Sequence, residues 1–178
     1  MTPATQLPAP LADVLGEIER QRTHLVTALA GLSPAQTMRS PGLDEWNAAQ
    51  VVDHLLLAEG FTNDITAMLV GKATAAGEAT GFPADLTSLT PVPDPISMEA
   101  PPPIRPRQEL PSEELITALK VMGERTAQTF PALATVDPRT CKMPHPLFGE
   151  LDLGQWWSVI AMHYVMHIEQ AQLALAGN

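Results

Sequence analysis

Apolar residues recur at helical spacing in four stretches of this chain, and prolines and glycines fall between them. Leu11, Leu15, Ile18, Leu25 and Leu29 keep close to the helical period, so a first helix is predicted from about Pro10 to Leu29, ended by Gly31. Arg22 interrupts that stripe and is expected to snorkel to water. Ser33-Pro34-Ala35-Gln36 offers a cap, a proline at the first helical position and a glutamine that can reach back, which predicts one short connecting turn. Asn47 and Gln50 form a capping-box pattern that opens a second helix. Its apolar positions are Val51, Leu55, Ala58, Phe61, Ile65 and Leu69, with Gly71 as the expected stop.

The segment from Phe82 to Pro111 holds nine of the eighteen prolines, too many for a helix or a central strand, and reads as a long extended crossover. A third helix is predicted from Ser112, with the serine as cap, Glu113 and Glu114 at the positive end of the helix dipole, and Leu115, Leu119 and Met122 as its stripe. It is expected to fade near Phe130. Pro138, Pro144, Pro146 and Gly149 punctuate Asp137 to Leu151, so that stretch reads as a loop or short hairpin. The fourth helix opens with Asp152 as cap and Gln155 as its capping-box partner, and runs to about Ala176.

Four amphipathic helices without a strand ladder predict an all-α bundle, taken here as one domain over residues 1–178 with the Pro-rich crossover at 82–111. The link of roughly 40 residues between the second and third helices far exceeds what adjacent antiparallel helices use. A crossover of that length can return along the bundle and leave the two helices parallel, which gives an up-down-down-up order. Composition agrees: apolar residues are 45%, charged residues 17% and aromatic residues 4% of the chain, a core built on Ala, Leu and Val.

A formal charge of −10 disfavours nucleic acid and anionic membrane surfaces, because the cations needed to displace their counterions are scarce. A small-molecule substrate is the partner expected instead. The first ten residues carry no Lys or Arg ahead of an apolar run, so no secretory signal is read, and no apolar stretch approaches spanning length. Cys141 is the only cysteine, which excludes an internal disulfide and suits a cytoplasmic location.

His163 and His167 stand four residues apart, one turn above the other on one helix face, where their ring nitrogens can converge on one ion. Ile160, Trp156 and Leu153 precede them on the same stripe, so both imidazoles face inward. His54, flanked by Val51 and Ala58, occupies a matching place on the second helix. Each alone reads as a hydrogen-bonded core residue sooner than as a ligand. Together they leave several buried nitrogens needing partners, and one divalent ion would satisfy three at once. Three imidazoles suit Zn, Ni, Fe or Mn and leave a coordination position open for water or thiolate.

Trp46 followed eight residues later by His54-Leu55, the run His145-Pro146-Leu147-Phe148-Gly149 with Leu153 and Trp156 after it, and His163-x-x-x-His167-x-x-Gln170 together resemble the DinB/YfiT-like metalloenzyme family. The likeness spans nearly the whole chain outside the crossover. It implies an up-down-down-up bundle, His54, His163 and His167 as metal ligands, and a homodimer as found among relatives. It also implies a reaction that employs a low-molecular-weight thiol such as mycothiol or bacillithiol, or a metal-dependent hydrolysis. Asn47 stands where that family commonly has Ser or Thr, and keeps the capping function.

Among the other polar residues, Gln170 reads either as a hydrogen bonder to bound water or as a packing amide. Asp53 and Glu59 flank the His54 turn and read chiefly as a solvated helix face, with orientation of an imidazole or action as a base as the alternative. Glu169 is expected to point away from the ligand face. His145, between two prolines, is expected to close the bundle end, and His24 to sit at the surface. Met162 and Met166 read as packing residues, Cys141 as a buried side chain or free thiol. Trp46, Trp156 and Trp157 read as closing the core near the helix ends, with a pocket mouth as the alternative for one of them.

Overall fold

Where the helical pattern is strong, the computed structural model, which describes residues 6–43, 45–92 and 99–176, follows it. The elements are α1 (Ala9–Leu29), α2 (Pro34–Thr37), α3 (Ala48–Ala76), α4 (Ser112–Leu133), a hairpin of β1 (Lys142–His145) and β2 (Gly149–Asp152), and α5 (Leu153–Ala176). Single 3-10 turns occur at Pro102–Ile104 and Pro138–Thr140. The capping boxes form as expected. Gln50 N–H donates to Asn47 Oδ1 at 2.9 Å, and Gln155 N–H donates to Asp152 Oδ1 at 2.8 Å.

Four expectations need correction. α3 does not stop at Gly71 but runs to Ala76 and is capped by Gly77 at φ 74°. Carrying the helix past Gly71 buries Ala73, and Gly77 takes the left-handed conformation that turns the chain without strain. Ser112 is the first residue of α4, not its cap, because its hydroxyl is used elsewhere, donating to the Leu32 carbonyl at 2.7 Å and tying α4 to the α1–α2 connection. α4 continues past Phe130 to Leu133 through Pro131; both Phe130 and Leu133 are fully buried, which offsets the backbone bond that Pro131 forfeits. Arg22 does not snorkel. Its side chain is 4% exposed, sealed in the core against Glu59.

Cross-helix contacts fix the topology. Asn63 reaches Thr126 while Asp64 pairs with Arg125 and Thr129 donates to Asn63, so α3 and α4 lie side by side. The crossover starts where Gly81 and Phe82 donate to the carbonyls of Thr135 and Ala134, at the far end of both helices. It returns to the near end, where Asp53 accepts from the backbone N–H groups of Arg107 and Gln108, and Asn47 donates to Glu109. α3 and α4 are therefore parallel. α5 runs against α3, since His54 meets His163 while Thr66 meets Trp157, twelve residues further along α3 but six residues earlier in the chain. With α1 packed against α4 and α5, the result is the up-down-down-up four-helix bundle.

One polar cluster penetrates the core and takes a residue from every long helix. Glu59 of α3 accepts from Arg22 Nη2 of α1 at 2.5 Å, from Thr126 Oγ1 of α4 at 2.5 Å and from Tyr164 OH of α5 at 2.7 Å. Gly123 makes room for the guanidinium: a Cβ there would lie 2.9 Å from Arg22 Nη1. The remainder of the core is aliphatic and aromatic, with Leu55, Leu119, Phe130 and Trp157 among its fully buried members.

Candidate functional site

His54 enters the bundle because it shares the α3 stripe with Val51 and Ala58, and His163 and His167 enter from α5. Their ring centroids are 4.5–4.8 Å apart pairwise. One nitrogen from each of the three lies within 4.8 Å of the other two, a grouping that could hold a metal ion.

The outer nitrogens show how the rings are oriented. His54 Nδ1 lies 2.6 Å from the Ile104 carbonyl oxygen, which can only accept, so Nδ1 carries the proton and Nε2 presents a lone pair to the interior. His167 Nδ1 lies 2.6 Å from Gln170 Oε1; with that amide oxygen accepting, His167 Nε2 is likewise left bare. His163 Nε2 stands 2.9 Å from His54 Nε2. Two of the three imidazoles thus have their tautomer set by a second partner, the arrangement that metal-ligating histidines use to fix ring orientation.

Burial keeps all three neutral. It lowers the His54 pKa to about 4, against the help of the Ile104 hydrogen bond. His163 falls to about 2, chiefly through burial and then through its proximity to His167 and His54, and burial lowers His167 as well. Neutral, oriented imidazoles are what a divalent ion of the Zn, Ni, Fe or Mn kind requires, so the residues present fit such a group.

The three histidines form the floor of a cavity of about 670 Å3. Trp46, Phe61, Trp156 and Phe148 supply aromatic wall, and Met162 and Met166 add thioethers. The crossover closes one side through Pro101, Pro103 and Ile104. His145 also lines it, against Phe148 and Trp156 at ring-centroid distances of 4.9 and 4.6 Å. Its Nδ1 accepts the Leu147 N–H at 3.1 Å, so the His145 proton sits on Nε2. Burial lowers the pKa of this ring too.

Several polar residues lie elsewhere than the sequence suggested. Asp53 and Glu59 are not on a solvated face. Both are buried, Asp53 clamping the returning crossover and Glu59 joining the core cluster. Gln170 lines the cavity, and its Oε1 lies 2.6 Å from His167 Nδ1, where it orients that ring. His145 stands in the cavity wall and not merely at the bundle end. Met162 and Met166 line the cavity, as do Trp46 and Trp156, the latter also buried in the core, whereas Trp157 lies wholly in the core and donates to Thr66 Oγ1 at 3.0 Å. His24 and Glu169 are exposed, as expected. Cys141 is buried, and that burial pushes its thiol pKa up. The Ile104 carbonyl is an element of the site that sequence reasoning missed altogether. A backbone acceptor leaves no side-chain signature, although the turn in Pro101-Pro102-Pro103-Ile104 that presents it is a rigid one.

A family model of the DinB superfamily matches residues 17–171. Among curated proteins none matches this sequence. Among solved structures the chain is similar to TT2238, described as a four-helix bundle protein, with a TM-score of 0.59 and 21% identity, covering 91% of this chain and 98% of that one. At that identity the likeness speaks to the fold alone.

Proposed function

Because the chain belongs to the DinB superfamily, we propose that it is a metal-dependent enzyme of the thiol-transfer or hydrolytic kind, with His54, His163 and His167 as ligands to one divalent Zn, Ni, Fe or Mn ion. The observation that carries this reading is the grouping of one nitrogen from each of the three rings within 4.8 Å of the other two, with the His54 and His167 rings held through their Nδ1 atoms by Ile104 and Gln170. When bound, such an ion lowers the pKa of a thiol or water brought to it. The protein's own part is to bind and orient. Ile104 and Gln170 hold two rings, the aromatic wall excludes water, and His145 offers an Nε2–H donor to a substrate in the cavity.

A second reading, a non-catalytic bundle that binds a metal or small molecule, has one observation in its favour. The only carboxylates lining the cavity among the described residues are Glu45 and Glu99, both exposed, and Glu99 is paired with Arg105. Among the described residues no buried carboxylate lines the cavity as a general base. Cobalt separates the two readings. In the cobalt-loaded protein a low-molecular-weight thiol should produce a sulfur-to-metal charge-transfer band near neutral pH, and thiol transfer to a reactive electrophile should exceed the uncatalysed rate. His167→Ala should abolish both while preserving helical content. If several thiols leave the spectrum unchanged and the wild type matches His167→Ala on a broad electrophile panel, thiol transfer is refuted and the binding reading stands.

A further inference from the structure

The charge of the cavity wall is one-sided. Among the described residues that line it there is no Lys or Arg, and residues 1–5, 44, 93–98 and 177–178 contain none either. The two cations closest in sequence to the lining residues of the crossover are already engaged. Arg105 donates to Glu99 at 2.6 Å and to the Ala100 carbonyl at 3.0 Å, and Arg107 donates to the Pro103 carbonyl at 2.9 Å. The ionisable groups that line the cavity among the described residues are Glu45, Glu99 and four imidazoles.

An anionic ligand body would therefore leave water for a wall of carbon without gaining a cation, a transfer that is unfavourable unless the charge is paired. The aromatic faces of Trp46, Phe61 and Trp156 repel an anion and attract a cation. A metal ion supplies positive charge only at the floor, where the first coordinating atom of a ligand would meet it. The rest of the ligand lies along the apolar wall and under the Glu45–Glu99 rim.

From this we infer that the site takes molecules whose body is apolar and either neutral or positively charged, and discriminates against those carrying a carboxylate or phosphate away from the coordinating atom. The inference rests on reading the cavity as a small-molecule centre, and it narrows the thiol class: a thiol with a carboxylate-bearing body is selected against, one with an uncharged body is accepted.

The test uses two matched series at about pH 7.5, where a carboxylate is ionised. The first is phenylmethanethiol bearing a para methyl, aminomethyl or carboxylate group, titrated into cobalt-loaded protein and read by the charge-transfer band. The second is the corresponding benzyl alcohols, titrated into metal-free protein and read by fluorescence of the cavity tryptophans. In both, the carboxylate member is expected to bind at least about tenfold more weakly than the methyl member, and the aminomethyl member at least as well as the methyl one. Met166→Arg places a cation in the wall at a half-exposed position; it should raise carboxylate affinity about tenfold relative to that of the methyl member.

Failure of the thiol reading is distinguishable, since it would silence the cobalt band for every thiol while the alcohol ranking on metal-free protein persisted. The inference is overturned if the carboxylate alcohol binds metal-free protein as tightly as its methyl counterpart, if none of the alcohols binds at millimolar concentration, or if Met166→Arg leaves the carboxylate-to-methyl affinity ratio unchanged.

Discussion

Replacing Glu59 with leucine removes the one group that all four helices share. In Glu59→Leu, Arg22 keeps only Glu19 as counterion, 2.6 Å from Nη1 on a side chain that is 46% exposed. Breaking a buried pair by deleting one partner costs roughly 3–5 kcal/mol, because the remaining charge stays desolvated. Thr126 and Tyr164 each lose an acceptor, and a stranded buried donor costs about 1–3 kcal/mol. These penalties share one carboxylate and do not add, and Glu19 retains part of the pairing, so the net loss expected is about 4 kcal/mol. Against a typical stability of roughly 5–15 kcal/mol that is a large fraction, visible as a fall of about 8–16 °C in melting temperature.

The assay is urea unfolding near neutral pH with chelator present, so that metal linkage does not enter. The decisive arm is the double variant Arg22→Met with Glu59→Leu, which removes the stranded charge and is expected to recover about 2–3 kcal/mol. A single-variant loss below about 1 kcal/mol, or a double variant no more stable than Glu59→Leu alone, would refute the claim that an uncompensated charge governs the effect.

Three further predictions concern the histidine centre. Purified protein should carry close to one transition-metal ion per chain by elemental analysis, and His163→Ala should strip it; occupancy that survives loss of any one of the three histidines contradicts the proposed ligand set. Gln170→Leu should weaken metal affinity by about 10–100-fold in chelator competition while leaving the three ligands in place, and an unchanged affinity would remove Gln170 from the orienting role. Metal-free protein should lose stability on acidification. His54 and His163 titrate at about 4 and about 2 when folded, below the value near 6.5 expected when unfolded, so the unfolded chain binds the extra protons. Stability is then complete above about pH 6.5 and declines from there toward pH 4, and a flat urea midpoint across that window counts against buried neutral imidazoles.

What the sequence revealed of this molecule, and what it hid, follows the reach of the interactions involved. Capping at Asn47 and Asp152 is local, complete within four residues, and was legible in full. The three histidines were legible because helical period and inward stripe jointly place them on facing surfaces. Arg22, Asp53 and Glu59 were misread for a shared reason: a charged side chain on a helix is normally solvated, and only tertiary contacts some 37 to 105 residues away along the chain show their burial to be compensated. Gly71 was misread because a glycine stop is a local signal, overridden once continuing the helix buries more apolar surface.

The proline-rich crossover is where fold and site meet. A chain leaving the end of α3 must travel the full length of the bundle to start a parallel α4, and proline shortens the list of conformations it loses in doing so. Asp53, one residue before His54, accepts two backbone N–H groups from the returning strand at 2.6 and 3.1 Å. Those two bonds bring the Pro102–Ile104 turn against α3, and the turn in turn delivers the Ile104 carbonyl to His54 Nδ1. The segment that makes the up-down-down-up order possible is thus also the one that sets the tautomer of a candidate ligand and walls the cavity. Removing the Asp53 clamp should reach the histidine centre through the backbone of the crossover, which makes the length of this crossover, an apparent excess for a mere connection, intelligible as part of the site.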